Sequence, residues 1–450
     1  MVKILHFADT HIDVAAHGRR ESESGLPLRV LDFLKALDTI VDTAIAEKVD
    51  LVLFAGDAYK DRTPVPTFQR EWGKRIRRLS DAGIPTLLLV GNHDLSPALG
   101  RAHALQEYET LPVPHVRVLS KPALLTPAEL EGLPLQVIAL PWLSRSGLMA
   151  NLEISATDPS EVYAEMEVRI GQMLDNWLEE IDPDLPTVFT AHASVQGAVY
   201  GGERSVMLGN DLVLPGNLVR NPKFDYVALG HIHKAQNLNK DAHPPVIYPG
   251  SIERVDFGEA ADDKFFVIAE VSKGKTKVHW HKLHGRQFID RTVTLTSLED
   301  VNQQMIGALP EQDDLRDAVV RLTVTYPRDW EMDIDESAVR RHAEPSFEFH
   351  FLRRPQMEAR LRLPEGQLAS SMNHEQLLET YWKTLDVDDT EQLNQLAMQI
   401  MHEVHDVHEV KEENEVKQEN ELPAGEADST ASAVQPDEQA LQAVLFDEEE

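Results

Sequence analysis

The sequence predicts an α/β domain on a substantially parallel sheet, followed by a smaller α+β region and a helical stretch. Strand and helix periodicities alternate through the first 120 residues, strand-like runs continue to about residue 283, and the texture changes from about 285. Residues 2–8 form a short apolar run, and Val30, Phe33, Leu34, Leu37, Ile40, Val41, Ala44 and Ile45 then recur at helical spacing. A second strand run occupies 51–55, helical material extends from about Pro64 to Ala82 with proline at its start, and a third strand covers 85–90. This order is that of an α/β domain. Further strand candidates lie at 136–140, 187–191, 225–229, 246–248, 265–271 and 277–283, with a long helix at about 160–181. Beyond 285, strands are expected at 316–325 and 346–352, and two helices over 373–410 carry apolar stripes through Leu377, Leu378, Tyr381, Trp382 and Leu385, then Leu393, Leu396, Ile400 and Val404. The expected organisation is therefore a main domain over 1–284, an accessory domain over 285–370, a helical region over 371–410 and an acidic, disordered tail over 411–450.

A chain of 450 residues exceeds what one hydrophobic core usually organises, which agrees with several domains. No apolar run reaches the ~18 residues needed to cross a bilayer, and the N-terminus turns polar too soon for an export signal, so a cytoplasmic protein without membrane contact is expected. The absence of cysteine excludes disulfides and thiolate metal sites. The formal charge is −33, of which residues 401–450, with 16 acids and 2 lysines, supply −14. Such a protein does not hold nucleic acid through a diffuse basic surface, because that affinity comes from neutralising phosphates. Attraction to DNA would have to come from bound metal, local basic patches or a partner.

The positions of the acids, amides and histidines relative to the strands carry the chemistry. Asp9 and His11 follow the first strand, Asp57 the second, Asn92 and His93 the third, His192 a fourth, and His231 and His233 a fifth. In an open α/β sheet the carboxyl ends of strands line the ligand crevice. A single histidine among 19 would be unremarkable, and Gly-Asp and Gly-Asn are ordinary turn pairs. Coincidence at five strand ends points to one site. Asp9, His11, Asp57, Asn92, His192, His231 and His233 offer oxygen and imidazole donors suited to Mn, Fe or Zn. Seven are too many for one catalytic ion with an open position. They suit two ions sharing a carboxylate, roughly 3.5–4 Å apart, which would clamp a phosphodiester while a histidine that is not a ligand protonates the leaving oxygen.

Asp9-Thr10-His11, Gly56-Asp57, Gly91-Asn92-His93-Asp94, His192 and Gly230-His231-Ile232-His233, in this order, resemble the calcineurin-like metallophosphoesterase signature over about residues 1–270. The resemblance implies a four-layer α/β/β/α sandwich. It makes Asp57 the bridge between metals, assigns Asp9, His11 and His233 to one ion and Asn92, His192 and His231 to the other, and gives His93 the scissile phosphate, with Asp94 orienting His93. Within that superfamily, the opening Ile-Leu-His-Phe-Ala-Asp-Thr-His-Ile, Tyr226-Val227-Ala228-Leu229 and Tyr248-Pro249-Gly250-Ser251…Phe257-Gly258-Glu259 resemble SbcD-type exonuclease subunits. This implies a Mn²⁺-dependent double-strand DNA exonuclease and hairpin endonuclease of repair and recombination. It would work with an SbcC-type coiled-coil ATPase, with a homodimer as a further option. Residues 285–370 would then be a DNA-facing cap, and 373–410 would dock on the ATPase. Lys60 stands where archaeal and eukaryotic relatives carry histidine; Lys60 and Arg62 are either phosphate contacts or simply exposed.

Arg353, Arg354, Arg360 and Arg362 give the cap a basic bias, and Arg70, Lys74, Arg77 and Arg78 either track a DNA backbone or form a solvated helix face. Leu441, Val444, Leu445 and Phe446 make an apolar island in the acidic tail, a partner motif or a chance cluster. Two other functions compete: a phosphatase or cyclic-nucleotide phosphodiesterase with the same ligands, and a non-catalytic scaffold, which would be expected to have lost some of them.

Overall fold

The computed structural model describes residues 1–12, 19–95, 101–111, 113–143, 159–201 and 213–356, together with 378, 393, 396 and 397. The expected docking helices lie outside the described residues apart from those last four, and Arg360, Arg362, the acidic tail and its apolar island lie wholly outside them.

The chain opens with β1 (Val2–Phe7), α1 (Leu28–Ala46), β2 (Leu51–Phe54), α2 (Pro66–Asp81), β3 (Thr86–Leu89), α3 (Glu107–Thr110) and β4 (Val116–Leu119). It continues with β5 (Ala123–Leu125), β6 (Gln136–Leu140), α4 (Pro159–Glu180), β7 (Thr187–His192), β8 (Ser194–Val195), β9 (Val213–Leu214), α5 (Gly216–Val219), β10 (Tyr226–Gly230), β11 (Gln236–Asn237) and β12 (Val246–Tyr248). The hairpin β13 (Lys264–Ser272) and β14 (Lys275–Leu283) then returns to the first strand. The resulting six-stranded sheets have the orders β14-β13-β1-β2-β3-β4 and β11-β12-β10-β7-β6-β5. Strands β1 to β4 are parallel to their neighbours in that run, as are β12, β10, β7 and β6.

Alternation along the strands explains the layers. Leu5, Phe7, Val52, Phe54 and Leu88 face one way and pack on Phe33, Leu37, Ile40 and Trp72 of α1 and α2. Ile4, Leu51, Leu53 and Leu87 face the other way, onto Val137, Val188, Ala228 and Ile247 of the second sheet. Ile138, Phe189 and Val227 on that sheet's outer face pack on Ile170, Leu174 and Trp177 of α4. Burial on both faces is why β2, β3, β6, β7 and β10 read as mainly apolar runs, their polar residues apart from Thr190 falling at the strand ends. Helix, sheet, sheet, helix is the four-layer sandwich. Helix α2 begins at Pro66, which occupies the first helical turn, two residues later than the expectation at Pro64.

A third sheet follows: β15 (Phe288–Thr294), α6 (Val301–Gly307), β16 (Val319–Pro327), α7 (Glu336–His342) and β17 (Glu348–Gln356), all strands parallel in the order β15-β16-β17. It has its own core, including Ile289, Met305, Leu322, Val324, Tyr326 and Val339. Arg286 joins it to the main body, with a bidentate pair to Asp32 at 2.7 and 2.9 Å, a bond to the Asp317 carbonyl and its guanidinium 3.8 Å from the Phe347 ring centre.

Candidate metal centre

The carboxyl ends of the two large sheets meet, and the polar residues that follow five strands converge there. Asp9 and His11 leave β1, Asp57 leaves β2, and Asn92 and His93 follow β3; His192 ends β7, and His231 and His233 follow β10. The His231 amide crosses between the sheets to donate to both Asp9 carboxylate oxygens at 3.0 Å. Asp9, His11, Asp57, His192 and His231 are at most 1% exposed. Ligand-capable atoms gather within 4.8 Å of one another in three overlapping sets: Asp9, His11 and His233; His11, Asp57 and His93; Asp9, Asp57 and His192. Asn92 Oδ1 joins them, 2.9 Å from His192 Nε2 and 3.0 Å from His231 Nδ1. All seven residues read from the sequence as metal donors occupy one pocket.

The backbone that achieves this is unusual. Asp9, His11, Asp57 and His231 all have positive φ, at 52°, 40°, 65° and 98°. Non-glycine residues rarely adopt such angles, and they concentrate at functional sites. Two glycines allow the close approach. A Cβ on Gly56, itself at φ 100°, would collide with the His192 ring, and one on Gly91 would collide with Asp57. The turn dipeptides in the sequence are therefore there for clearance as well as for turning.

Hydrogen bonding leaves lone pairs facing inward. His192 Nδ1 lies 2.7 Å from the Ala55 carbonyl, which can only accept, so Nδ1 carries the proton. Its Nε2 then points at Asp57 Oδ2, 3.3 Å away, and at Asn92 Oδ1, two further acceptors. His233 repeats the arrangement. Its Nδ1 is 2.6 Å from Glu259 Oε1, and its Nε2 is 2.9 Å from His11 Nε2. His11 Nδ1 is buried without a hydrogen-bond partner. At His192 an acceptor faces acceptors, and between His11 and His233 one Nε2 has to carry a proton unless a cation takes its place, so both positions call for positive charge between the donors.

Titration points the same way. Burial alone would lower His192, but the Asp57 and Asp9 charges raise it to about 9, so without a metal the pocket recruits a proton. Burial pushes Asp9 up to about 7. Burial also raises Asp57, but the imidazoles of His192, His93 and His11 outweigh it and hold that carboxyl well below its usual range. Oxygen and imidazole donors with no thiolate suit divalent Mn, Fe or Zn, and the residues present fit two such ions.

Asp94 does not orient His93. Its carboxylate accepts from the amides of Gly91 at 2.9 Å, Asp57 at 2.9 Å and Ala58 at 3.0 Å, so it braces the loops that present Asp57 and Asn92. The His93 ring is held instead by the Lys60 carbonyl, 2.8 Å from Nδ1, and its amide donates to Asp57 Oδ1 at 2.8 Å. Lys60 and Arg62 line a cleft of about 490 Å³ together with His93, Asp61, Thr63, Val65 and Phe68. Arg353 is ion-paired to Glu331 at 3.1 Å and Glu336 at 3.3 Å, so two acids of its own domain neutralise it; Arg354 is exposed beside it. Helix α2 likewise spends its cations locally. Arg70 and Lys74 pair with Glu71, Arg77 with Asp81, and Arg78 with Asp38 and Asp42. That face is a salt-bridged surface rather than a free basic track.

Sequence reasoning from strand ends missed three participants. Glu259 and Lys264 lie beyond His233 and follow no strand's carboxyl end, and Trp142, whose ring centre is 5.0 Å from that of His231, follows β6. The apolar run ending in Leu140-Pro141-Trp142 was the available signal for Trp142.

Comparison with known proteins agrees with this geometry. Residues 2–235 match the calcineurin-like phosphoesterase family. The D component of the SbcCD nuclease of Bacillus subtilis (strain 168) is 28% identical over 309 residues, which span 63% of this chain and 73% of that protein. Among solved structures, TT1561 of Thermus thermophilus is 14% identical with a TM-score of 0.35, covering 62% of this chain and 98% of that one. A dimetal phosphatase from Danio rerio is 12% identical with a TM-score of 0.39, covering 62% and 95%. With the motif order, the two-sheet topology and the family match over more than half its length in agreement, the chain belongs to the calcineurin-like phosphoesterases.

Proposed function

We propose that this chain is a two-metal phosphodiesterase that cuts DNA in repair and recombination, as the nuclease subunit beside an SbcC-type coiled-coil ATPase in the cytoplasm. The observation that carries the hydrolase reading is the pocket in which Asp9, His11, Asp57, Asn92, His192, His231 and His233 turn oxygen and imidazole donor atoms toward one another. Likeness to the B. subtilis nuclease component supports DNA as the substrate class and the ATPase as partner. In this reading Asp57 is shared, Asp9, His11 and His233 hold one ion, and Asn92, His192 and His231 hold the other. Two divalent ions held there, taken as Mn²⁺, would supply Lewis acidity toward the phosphodiester.

The protein's own groups do the rest. With Nδ1 tied to the Lys60 carbonyl, His93 has Nε2 left to deliver a proton to the departing oxygen. Asp94 fixes the loop bearing Asn92 and His93. Lys60 and Arg62, at the mouth of the adjoining cleft, meet the phosphates of the strand being cut. The third sheet, β15 to β17, belongs to the region expected to face the duplex. Domain-scale basic attraction is weak, since Arg353 is already neutralised. Metal and cleft therefore carry most of the affinity.

The test is digestion of end-labelled linear duplex and hairpin DNA alongside a small phosphodiester, with Mn²⁺ and with Mg²⁺. Cleavage of the DNA substrates is expected. Action on the small ester alone would replace this reading with a phosphatase or cyclic-nucleotide phosphodiesterase, and no turnover of any substrate would leave a scaffold.

A further inference from the structure

Lys264 is a lysine at 1% exposure, at the start of β13, in a chain whose other lysines mostly reach solvent. Its ammonium has three protons and three oxygens to receive them: Glu259 Oε2 at 2.6 Å, Ser251 Oγ at 2.7 Å and the His233 carbonyl at 3.4 Å. Glu259 is equally buried and fully used. Oε2 also accepts from the Ser251 hydroxyl and the Val255 amide at 3.1 Å each, and Oε1 takes the His233 Nδ1 proton at 2.6 Å. The network sits behind the pocket, reaching it through His233 while none of its own groups is among the seven donors.

We propose that Lys264 and Glu259 are a buried positioning pair that fixes His233 as its Nδ1–H tautomer and so aims the Nε2 lone pair at the ion held with Asp9 and His11. This rests on the metal reading above. A free histidine side chain favours the opposite tautomer, with Nε2 protonated, and that form presents a proton where a cation must bind. Glu259 selects the binding form, because a carboxylate accepts and never donates. Lys264, with Ser251 and Val255, pins the carboxylate rotamer, so Oε1 has one direction left to point.

The charged pair can be exchanged for a neutral one of similar volume without leaving an uncompensated buried charge. The test therefore uses the double variant Lys264→Met with Glu259→Leu, and a second in which Glu259→Gln accompanies Lys264→Met to restore a neutral acceptor. Two readouts are taken on the full chain. The ¹⁵N signal of His233 in metal-free protein, assigned by difference against His233→Gln, reports the tautomer. Mn²⁺ titration reports stoichiometry and affinity. The Met/Leu protein is expected to show Nε2 protonation and one site weakened on the order of 10–100-fold with the other retained, and the Met/Gln protein to recover most of both. A Met/Leu protein that keeps the Nδ1–H signal and binds two ions as tightly as wild type would overturn the proposal. Failure of wild type itself to take up Mn²⁺ would sink the metal reading instead, and the tautomer signal would still decide whether Glu259 and Lys264 select the state of His233.

Discussion

Replacing Asp9 by asparagine removes a fully buried carboxylate that receives the His231 amide on both oxygens. Burial raises Asp9 from 3.8 to about 7. A carboxyl raised on folding contributes stability below its unfolded value, and that contribution is lost as pH rises through the folded one. At ~1.4 kcal/mol per pH unit, ionised Asp9 therefore costs the metal-free protein on the order of 4 kcal/mol at pH 8. Asparagine escapes the charge but turns an amide nitrogen toward a donor that had two acceptors, a loss of ~1–3 kcal/mol. The net expectation is a metal-free variant more stable by about 2 kcal/mol at pH 8, melting a few degrees higher, with the advantage near zero at pH 5. Saturating Mn²⁺ should reverse the order, because wild type gains ~2.7 kcal/mol at a hundred times its dissociation constant and the variant gains less. Calorimetry in chelator at pH 5 and 8, repeated with Mn²⁺ at pH 8, measures all three. An asparagine variant that melts below wild type at pH 8 without metal would refute the view that Asp9 is held ionised for a cation's sake.

Asp57→Asn keeps an oxygen for the His93 amide but removes the shared charge, so Mn²⁺-dependent hydrolysis of a small phosphodiester should fall by at least ~10³-fold, and near-normal turnover would disprove the bridging role. His93→Gln should retain two bound ions by elemental analysis while kcat drops ~10²–10⁴-fold; loss of an ion would make His93 a ligand. Joint Lys60→Ala and Arg62→Ala should raise KM for duplex DNA and flatten its salt dependence, the slope of log KM against log salt falling by up to ~2. Arg353→Ala, with its cation already paired to Glu331 and Glu336, should leave that KM unchanged, and a rise comparable to the cleft variant's would show that Arg353 itself engages DNA despite those two acids.

The buried strands were legible because both faces are covered, so Leu51-Val52-Leu53-Phe54 and Tyr226-Val227-Ala228-Leu229 leave no polar interruption. Edge strands were harder to see. Val116–Leu119 is half exposed and carries Arg117, and Phe288–Thr294 mixes Asp290 and Arg291 into a short run, so neither has a clean period. The pocket was legible for a topological reason: parallel strands deliver their following residues to one edge, and Asp-x-His and His-x-His mark it. Asp94 shows where that reasoning stops. The resemblance made it the partner that orients His93, whereas the carboxylate turns back to three amides that only the folded turn presents. Glu259 and Lys264 were invisible as a pair because five residues apart on different elements carries no spacing rule.

The donors are divided between the two sheets: Asp9, His11, Asp57 and Asn92 belong to one, and His192, His231 and His233 to the other. An ion among them would act as a rivet through the middle of the sandwich, fastening halves that elsewhere meet mostly through apolar packing, with a few polar ties such as His6 Nδ1 to Tyr226 Oη at 2.9 Å. Neither half carries all the donors proposed for either ion, so a fragment stopping before β7 would keep four of the seven donors and complete neither set. Loading the centre should therefore slow the opening of β1 and β10 in step, although more than two hundred residues separate them along the chain.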